Sequence, residues 1–108
     1  MKYRVVFDPA ARDDLADILT YLAPRMGVDP ALAYVRRIED YCLNFFSTFP
    51  HRGMRRDDVY SGLRLVGYRY KATIAFRVRD DVVQIARVFH NGRNIDFGPS
   101  PEAPDTET

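Results

Sequence analysis

The sequence has few of the residues that fix a protein through covalent bonds or metal ions. It contains one cysteine, Cys42, and two histidines, His51 and His90. A lone cysteine cannot form an internal disulfide, which favours a reducing cytoplasm as the setting. Neither histidine has metal-ligand spacing with Cys42 or with the other. We therefore expect a cytoplasmic protein with no metal or other cofactor.

Long apolar runs and glycine-rich loops are also missing. No run approaches the length that spans a bilayer, and the first residues, MKYRVVFDP, lack the uninterrupted apolar core of a signal peptide. The six glycines are scattered and form no phosphate-binding loop. A chain of 108 residues that is 46% hydrophobic can build one core. We expect a single domain over residues 1–96 that makes no contact with a membrane.

The net charge of +1 is small but unevenly distributed. Residues 51–93 contain ten Lys or Arg and four Asp or Glu, whereas residues 94–108 contain four acidic residues and no basic one. A basic body of this kind indicates an acidic partner or nucleic acid, or simply arginines along the solvent face of a sheet. Charge alone does not choose between these interpretations.

The segment from residue 62 to 96 predicts three strands in a meander, near Leu63–Tyr68, Lys71–Arg79 and Val82–His90. The second of these alternates apolar and polar residues, and Asp80–Asp81 predicts a tight reversal after it. The third strand is apolar on both faces, which is typical of a central strand. Strict alternation would place one set of its side chains (Val83, Ile85, Phe89) opposite another (Val82, Ala86, Val88).

The first half of the chain predicts one strand and two helices. Tyr3–Phe7 is the strand, and Asp-Pro pairs at residues 8–9 and 29–30 open the helices, because Asp is a preferred N-cap and Pro suits the first helical position. Apolar residues recur at helical spacing from Leu15 to Leu22 and from Tyr34 to Phe45, and Pro24 is expected to stop the first helix. Cys42 falls in the second stripe, which favours core packing over a nucleophile.

The predicted fold class is α+β, in the order β-α-α-β-β-β. We expect a mostly antiparallel sheet with the helical hairpin packed on one face. Residues 50–62 are a loop by composition, and residues 97–108, rich in proline and hydroxyl side chains, are predicted to be a disordered tail.

These elements resemble a toxin family. The order Leu63-Arg64, then Ala72–Val78, the acidic turn, and an apolar strand that runs into Asn91–Ile95 is similar to the RelE/ParE superfamily, with the ParE branch closer. The resemblance covers roughly residues 3–96 and rests on the ordered combination of elements. It implies that the first and last strands lie side by side in the sheet.

The resemblance implies a toxin of a type II toxin–antitoxin system that inhibits DNA gyrase by binding, with no catalytic residue assigned. It also implies a cognate, ParD-like antitoxin, a small DNA-binding protein whose disordered C-terminal arm joins a toxin–antitoxin hetero-oligomer. Candidate target contacts are the residues at positions that recur in the branch: Arg64, Arg87, His90 and Arg93. Arg87 lies inside an apolar strand, so a buried, paired arginine is an equal interpretation.

Two alternatives stay open. One is a RelE-like, ribosome-dependent endoribonuclease that cuts messenger RNA, and the other is an inactive partner-binding member of the same fold. In the nuclease branch a central catalytic arginine would stand at or next to Thr73, and an aromatic hydroxyl would follow Arg93, where this chain has only Phe97. Acid–base cleavage would then depend on His90.

The sheet itself predicts where the antitoxin binds. One helical hairpin covers one face, so an apolar strip on the other face would stay uncovered and mark a binding site. We predict that Val82, Ala86 and Val88 form this strip, and that Arg77 and Arg79 at its rim attract an acidic antitoxin arm.

Overall fold

The computed structural model of the protein describes residues 3–69 and 71–90. The elements in chain order are β1 (Arg4–Phe7), α1 (Pro9–Met26), α2 (Val28–Thr48), β2 (Met54–Arg55), β3 (Arg64–Tyr68), β4 (Ala72–Arg79) and β5 (Val82–His90). The predicted α+β class and element order are confirmed, with the short strand β2 added inside the predicted loop. Arg93 and the predicted tail lie outside the described residues, so the tail and the domain limit stay predictions.

The five strands form one mixed sheet in the order β1-β5-β4-β3-β2. The first and last strands lie side by side as predicted, and they run parallel, with Arg4 opposite Val82 and Phe7 opposite Ile85. The strands β3, β4 and β5 form an antiparallel meander. Because β5 has neighbours on both sides, it is the central strand that its apolar sequence indicates.

The two helices join more tightly than the sequence predicts. Pro24 lies inside α1, which continues to Met26, and only Gly27 separates the two helices. Proline removes one helical hydrogen bond without ending the helix here, since the N–H of Gly27 still reaches the carbonyl of Ala23 at 2.9 Å. Gly27 then reverses the chain with a φ of 97°, a conformation that favours glycine. Asp29 therefore lies in the first turn of α2 and does not cap it.

The predicted packing of the helices on the sheet is confirmed. Ile18 of α1 and Ile38 of α2 are almost completely buried, and Phe46 contacts Phe76 of β4 with ring centroids 4.2 Å apart. Cys42 lies in the same core with no exposed surface, and burial raises the pKa of its thiol to about 12. The thiol therefore stays protonated at neutral pH, as expected of a core residue.

A β-bulge in β5 changes which side chains face the helices. Ala75 lies opposite Arg87, and its neighbour Phe76 lies opposite Ile85, so Ala86 is an extra residue in β5. Beyond the bulge the alternation is reversed. Val88 is therefore 2% exposed and packs with the core under the helices. The prediction that Val88 lies on the face opposite to Val83 and Ile85 is wrong, because strict alternation does not hold through a bulge.

The other side of the sheet is not left open. We call it the second face, and its buried apolar side chains form a small cluster of their own: Leu63, Leu65, Ala75 and Phe89. Val59 and Tyr60, from the segment predicted as a loop, pack against this cluster. The second face is therefore not a bare apolar strip: Val59 and Tyr60 cover this cluster, Ala86 is only 9% exposed, and Val82, which lies outside the cluster, is half-buried.

Gly53 allows the chain after α2 to approach the sheet closely. Its φ is 95°, and a Cβ added there would lie 2.4 Å from the carbonyl oxygen of Leu65. No side chain fits at that distance, so glycine is required where this segment begins to pair with β3. The segment between α2 and β3 is thus held against the sheet at Gly53, and again by Val59 and Tyr60.

Candidate functional site

Arg87 is held by a carboxylate on α1. Its Nε and one terminal nitrogen donate to the two carboxylate oxygens of Asp14 at 2.7 and 2.9 Å, and the backbone N–H of Val88 donates to the same carboxylate at 2.8 Å. The side chains are 28% and 11% exposed for Arg87 and Asp14. The guanidinium also lies 5.0 Å from the ring centroid of Phe89. Of the two interpretations that the sequence left open for Arg87, the structure supports the paired arginine.

The carboxylate of Asp14 lies at an unpaired part of the sheet edge. β1 pairs with β5 only as far as Ile85, so the N–H of Val88 has no strand partner on that side. α1 provides the acceptor instead. Asp14 therefore satisfies a backbone donor and an arginine at once, and it fixes α1 against the strand just past the bulge.

His90 lies under the helices and not on the second face. It is opposite Ala72, which belongs to the helix-covered core, and its ring contacts Tyr21 of α1 and Tyr34 of α2 at centroid distances of 5.8 and 6.0 Å. Burial raises the pKa of the Tyr34 hydroxyl, which has no hydrogen-bond partner within the described part of the chain. His90 thus closes an aromatic cluster between the two helices.

Arg64 lies on the helix-covered side of the sheet and supports the chain after α2. It is opposite Phe76, and one of its terminal nitrogens donates to the carbonyl oxygen of His51 at 3.0 Å. Phe76 lies four positions along β4 from Ala72, the partner of His90, which is about 13 Å along the strand. Arg64 and His90 therefore do not belong to one cluster.

Three of the residues predicted to bind the antitoxin share the second face. Arg77 is half-buried, donates to the carbonyl oxygen of Ser61 at 3.3 Å, and lies 5.2 Å from the ring centroid of Tyr60. Arg79 is exposed, and it pairs in register with the half-buried Val82. Arg77, Arg79 and Val82 thus lie together beside the Asp80–Asp81 turn, and antitoxin contact there stays a prediction.

A family model described as the ParE toxin of the type II toxin–antitoxin system parDE matches residues 5–95. This chain belongs to the ParE toxin family. None of the curated proteins matches it.

Solved structures with the same fold include two toxin–antitoxin systems. The chromosomal ParDE system of P. aeruginosa gives a TM-score of 0.68 at 22% identity, covering 82% of this chain and 96% of that one. The RelBE2 toxin–antitoxin complex of Mycobacterium tuberculosis gives a TM-score of 0.60 at 24% identity, covering 84% of this chain and 100% of that one. A conserved hypothetical protein of Helicobacter pylori gives a TM-score of 0.53 at 12% identity, covering 82% of this chain and 94% of that one. At these identities the likeness shows the fold alone.

Two arginines close to β2 in the loop before β3, Arg55 and Arg56, are both paired in this ParE-family chain. Arg55 donates to Asp57 at 2.9 Å, and Arg56 donates to Asp58 at 2.8 Å. These hydrogen bonds lower the pKa of both carboxyl groups, and Asp57 also accepts the N–H of Gly62. The loop is therefore close to neutral, which leaves the strand arginines as the basic part of the second face.

Neither a membrane span nor a metal cluster is found in residues 3–69 and 71–90. The helices there are too short or too polar to cross a bilayer. The same residues contain no group of three or more His, Cys, Asp or Glu side chains placed to hold a metal ion. The side chains described above offer ion pairing and apolar contact, which are means of binding a partner.

Sequence reasoning missed the role of Asp14. Asp13 and Asp14 both lie early in α1, where the helix dipole favours any acidic residue and does not distinguish the two positions. The signal that could have found Asp14 is Arg87, because a charged residue in a strand that is apolar on both faces requires a counter-charge from an adjacent element.

Proposed function

We propose that this protein is the toxin of a type II toxin–antitoxin pair, that it inhibits DNA gyrase by binding it, and that a cognate antitoxin neutralises it. The observation that carries the proposal is the match of the ParE toxin family over residues 5–95. The toxin–antitoxin titles of two structures with this fold support an antitoxin partner. On this proposal the protein acts by contact and not as an enzyme.

The position of His90 supports binding over nuclease chemistry. A general acid or base must lie within hydrogen-bond reach of the same reacting atoms that the phosphate-binding arginines hold. His90 faces the helices, between Tyr21 and Tyr34, whereas Arg77 and Thr73 belong to the second face. The sheet therefore separates His90 from those strand residues, which disfavours an acid–base pair built from them.

Target contact by Arg64, Arg87, His90 and Arg93 stays a proposal. Arg64 and Arg87 already bond to His51 and Asp14 within the fold. Their loss would change the shape of the protein as well as any interface. Arg93 lies outside the described residues. Antitoxin contact by Arg77, Arg79, Val82, Ala86 and Val88 is likewise a proposal, and of these side chains Ala86 and Val88 are buried within the fold.

The test compares two possible targets, DNA gyrase and translated messenger RNA. Purified toxin should inhibit supercoiling by DNA gyrase in a dose-dependent way, and the co-purified antitoxin complex should not. Induction of the toxin alone should arrest growth with DNA-damage signalling and leave bulk messenger RNA uncut. The matched control is the Ile38→Ala variant, whose loss of core packing should abolish both effects.

Two other outcomes would contradict the gyrase proposal. Normal supercoiling in the presence of folded toxin, together with cleavage of translated transcripts at defined codon positions, would overturn the gyrase proposal in favour of the RelE-like alternative. Normal supercoiling, uncut transcripts and continued growth, with the antitoxin still bound, would favour an inactive partner-binding member of the fold.

A further inference from the structure

A row of four aromatic rings runs along the outer side of α2. Tyr41, Phe45 and Phe49 follow one another at intervals of four residues, and Tyr68 of β3 extends the row. Ring centroids are 4.9 Å apart from Tyr68 to Tyr41, 5.0 Å from Tyr41 to Phe45 and 5.6 Å from Phe45 to Phe49. We call these four rings the aromatic ladder. Its rings therefore extend no more than about 11 Å from Tyr41 to Phe49.

The aromatic ladder is only partly covered by the fold. Tyr68 is buried, Tyr41 and Phe45 are half-buried, and Phe49 exposes 46% of its surface. The second face of the sheet, by contrast, has its apolar cluster covered by Val59 and Tyr60. The apolar surface that the sequence placed on the sheet is therefore found on α2 instead.

Arginines stand at both ends of the aromatic ladder. At the Tyr68 end, Arg37 and Arg69 line a groove of about 500 Å³ between α2 and the end of β3. At the other end, the guanidinium of Arg52 lies 5.3 Å from the ring centroid of Phe49, beside a depression of about 260 Å³. Among the described residues that line the larger groove, Asp40 is the one acidic residue. An apolar row between two cationic ends is complementary to an acidic, amphipathic segment.

The ring geometry disfavours nucleic acid as the occupant. Single-stranded nucleic acid binds by stacking bases on free aromatic faces. In the aromatic ladder the rings already stack on one another, Tyr41 and Phe45 with an interplanar angle of only 11°, and Asp40 would repel a phosphate backbone. Ring edges and half-covered faces suit aliphatic side chains better than bases.

We propose that the aromatic ladder is the docking surface for an acidic, amphipathic segment of the antitoxin, an inference that rests on the proposed function. Aliphatic side chains of the segment lie on Tyr41, Phe45 and Phe49, and its carboxylates pair with Arg37 or Arg69 at one end and with Arg52 at the other. A span of about 11 Å corresponds to about seven residues of a helix or three of an extended strand. The antitoxin segment therefore carries acidic residues separated by an apolar stretch of that length.

The experiment titrates the small protein encoded by the adjacent reading frame into purified toxin. Two ladder variants are each matched with a control. Phe49→Ala is matched with Leu43→Ala, because both side chains are 46% exposed and Leu43 lies about 200° around α2 from Phe45. Arg52→Glu is matched with Arg12→Glu, because both guanidinium groups are exposed and lie 5.3 Å from an aromatic ring centroid.

We expect Phe49→Ala and Arg52→Glu each to weaken the affinity about tenfold or more, as loss of a central aromatic anchor or of a charge pair does. Leu43→Ala and Arg12→Glu should stay within about twofold of the unchanged toxin. Melting temperatures of the four free variants show whether each remains folded, and a variant that unfolds is replaced by Phe49→Leu or Arg52→Gln.

Failure of the inference and failure of the proposed function give different results. If the adjacent protein binds the toxin but the ladder variants bind as tightly as their controls, the docking surface lies elsewhere and the inference is wrong. If that protein does not bind the unchanged toxin at all, the proposed toxin–antitoxin pairing fails, and the inference fails with it. Binding of single-stranded RNA that is lost in Phe49→Ala alone would overturn the peptide as occupant.

Discussion

Removing the carboxylate of Asp14 should loosen the hold of α1 on β5. Asp14 accepts two hydrogen bonds from Arg87 and one from the backbone N–H of Val88, all between 2.7 and 2.9 Å. A hydrogen bond to a charged group contributes about 1.5–3 kcal/mol net. Arg87 is 28% exposed, so solvent screens part of its attraction to Asp14 and the lower end of that range applies to the pair.

Two substitutions separate the ion pair from the backbone contact. Asp14→Asn keeps an oxygen that can accept the N–H of Val88 but removes the charge opposite Arg87, and it should lower the free energy of unfolding by about 2 kcal/mol. Asp14→Ala also leaves the N–H of Val88 without its acceptor, and it should cost about 3 kcal/mol in all. In a domain of about this size, a loss of 3 kcal/mol lowers the melting temperature by at least about 12 °C.

Urea unfolding followed by circular dichroism measures both losses. The control is Asp13→Asn, an exposed carboxylate one position earlier on the same helix, which should change the free energy of unfolding by less than about 0.5 kcal/mol. Adding 1 M salt should reduce the difference between unchanged protein and Asp14→Asn, because salt screens the pair. Equal unfolding curves for Asp14→Asn and Asp13→Asn would refute the argument that this contact holds α1 to the sheet.

Two further predictions concern the core. Ile38→Ala should lower the free energy of unfolding by about 2–5 kcal/mol, and Leu19→Ala by clearly less, because Ile38 is fully buried while Leu19 is only half-buried. Unchanged thermal melting of both variants would rule out the helix packing described. The Cys42 thiol, with a pKa raised from 9.0 to about 12, should be alkylated at pH 8 no faster than the protein unfolds. As the pH rises, the thiol of the unfolded chain ionises before the buried thiol, so the free energy of unfolding is unaffected below pH 9 and falls toward pH 12 with a slope approaching 1.4 kcal/mol per pH unit. The Cys42→Ala variant should lack this fall. Fast alkylation of the native protein would contradict the burial of the thiol.

The sequence predicted the elements well because their signals are local. The alternation in β4 and the helical stripes of α1 and α2 are set by side-chain periodicity, which survives folding. The family resemblance added the order of the strands. A regular alternation does not predict where it will be interrupted, and the bulge at Ala86 interrupts the alternation in β5. Alanine fits either side of a strand, so nothing in the sequence marked the position at which the alternation reverses.

The errors at the helix hairpin and the second face have a related cause. Pro24 was taken as a stop, yet the following glycine at residue 27 makes a one-residue reversal possible and keeps the last helical turn intact. Val59 and Tyr60 lie in a segment with the composition of a loop, and composition does not say that two of its side chains return to cover the sheet. Both outcomes depend on contacts between distant residues, which local patterns do not encode.

The proposed surfaces lie on opposite sides of the sheet, and this constrains how an antitoxin neutralises the toxin. The aromatic ladder is on the helix side, whereas Arg77 and Arg79 are on the second face. The molecule is 22 Å thick in its shortest dimension, a distance that about seven residues of extended chain cross. An antitoxin segment that fills only the aromatic ladder leaves Arg77 and Arg79, the other proposed antitoxin contacts, open. An arm that contacts both surfaces must therefore pass around the sheet edge. A peptide limited to the ladder-binding segment should bind the toxin more weakly than the whole antitoxin does, and equal affinities of the two in a titration would show that the second face adds no contact.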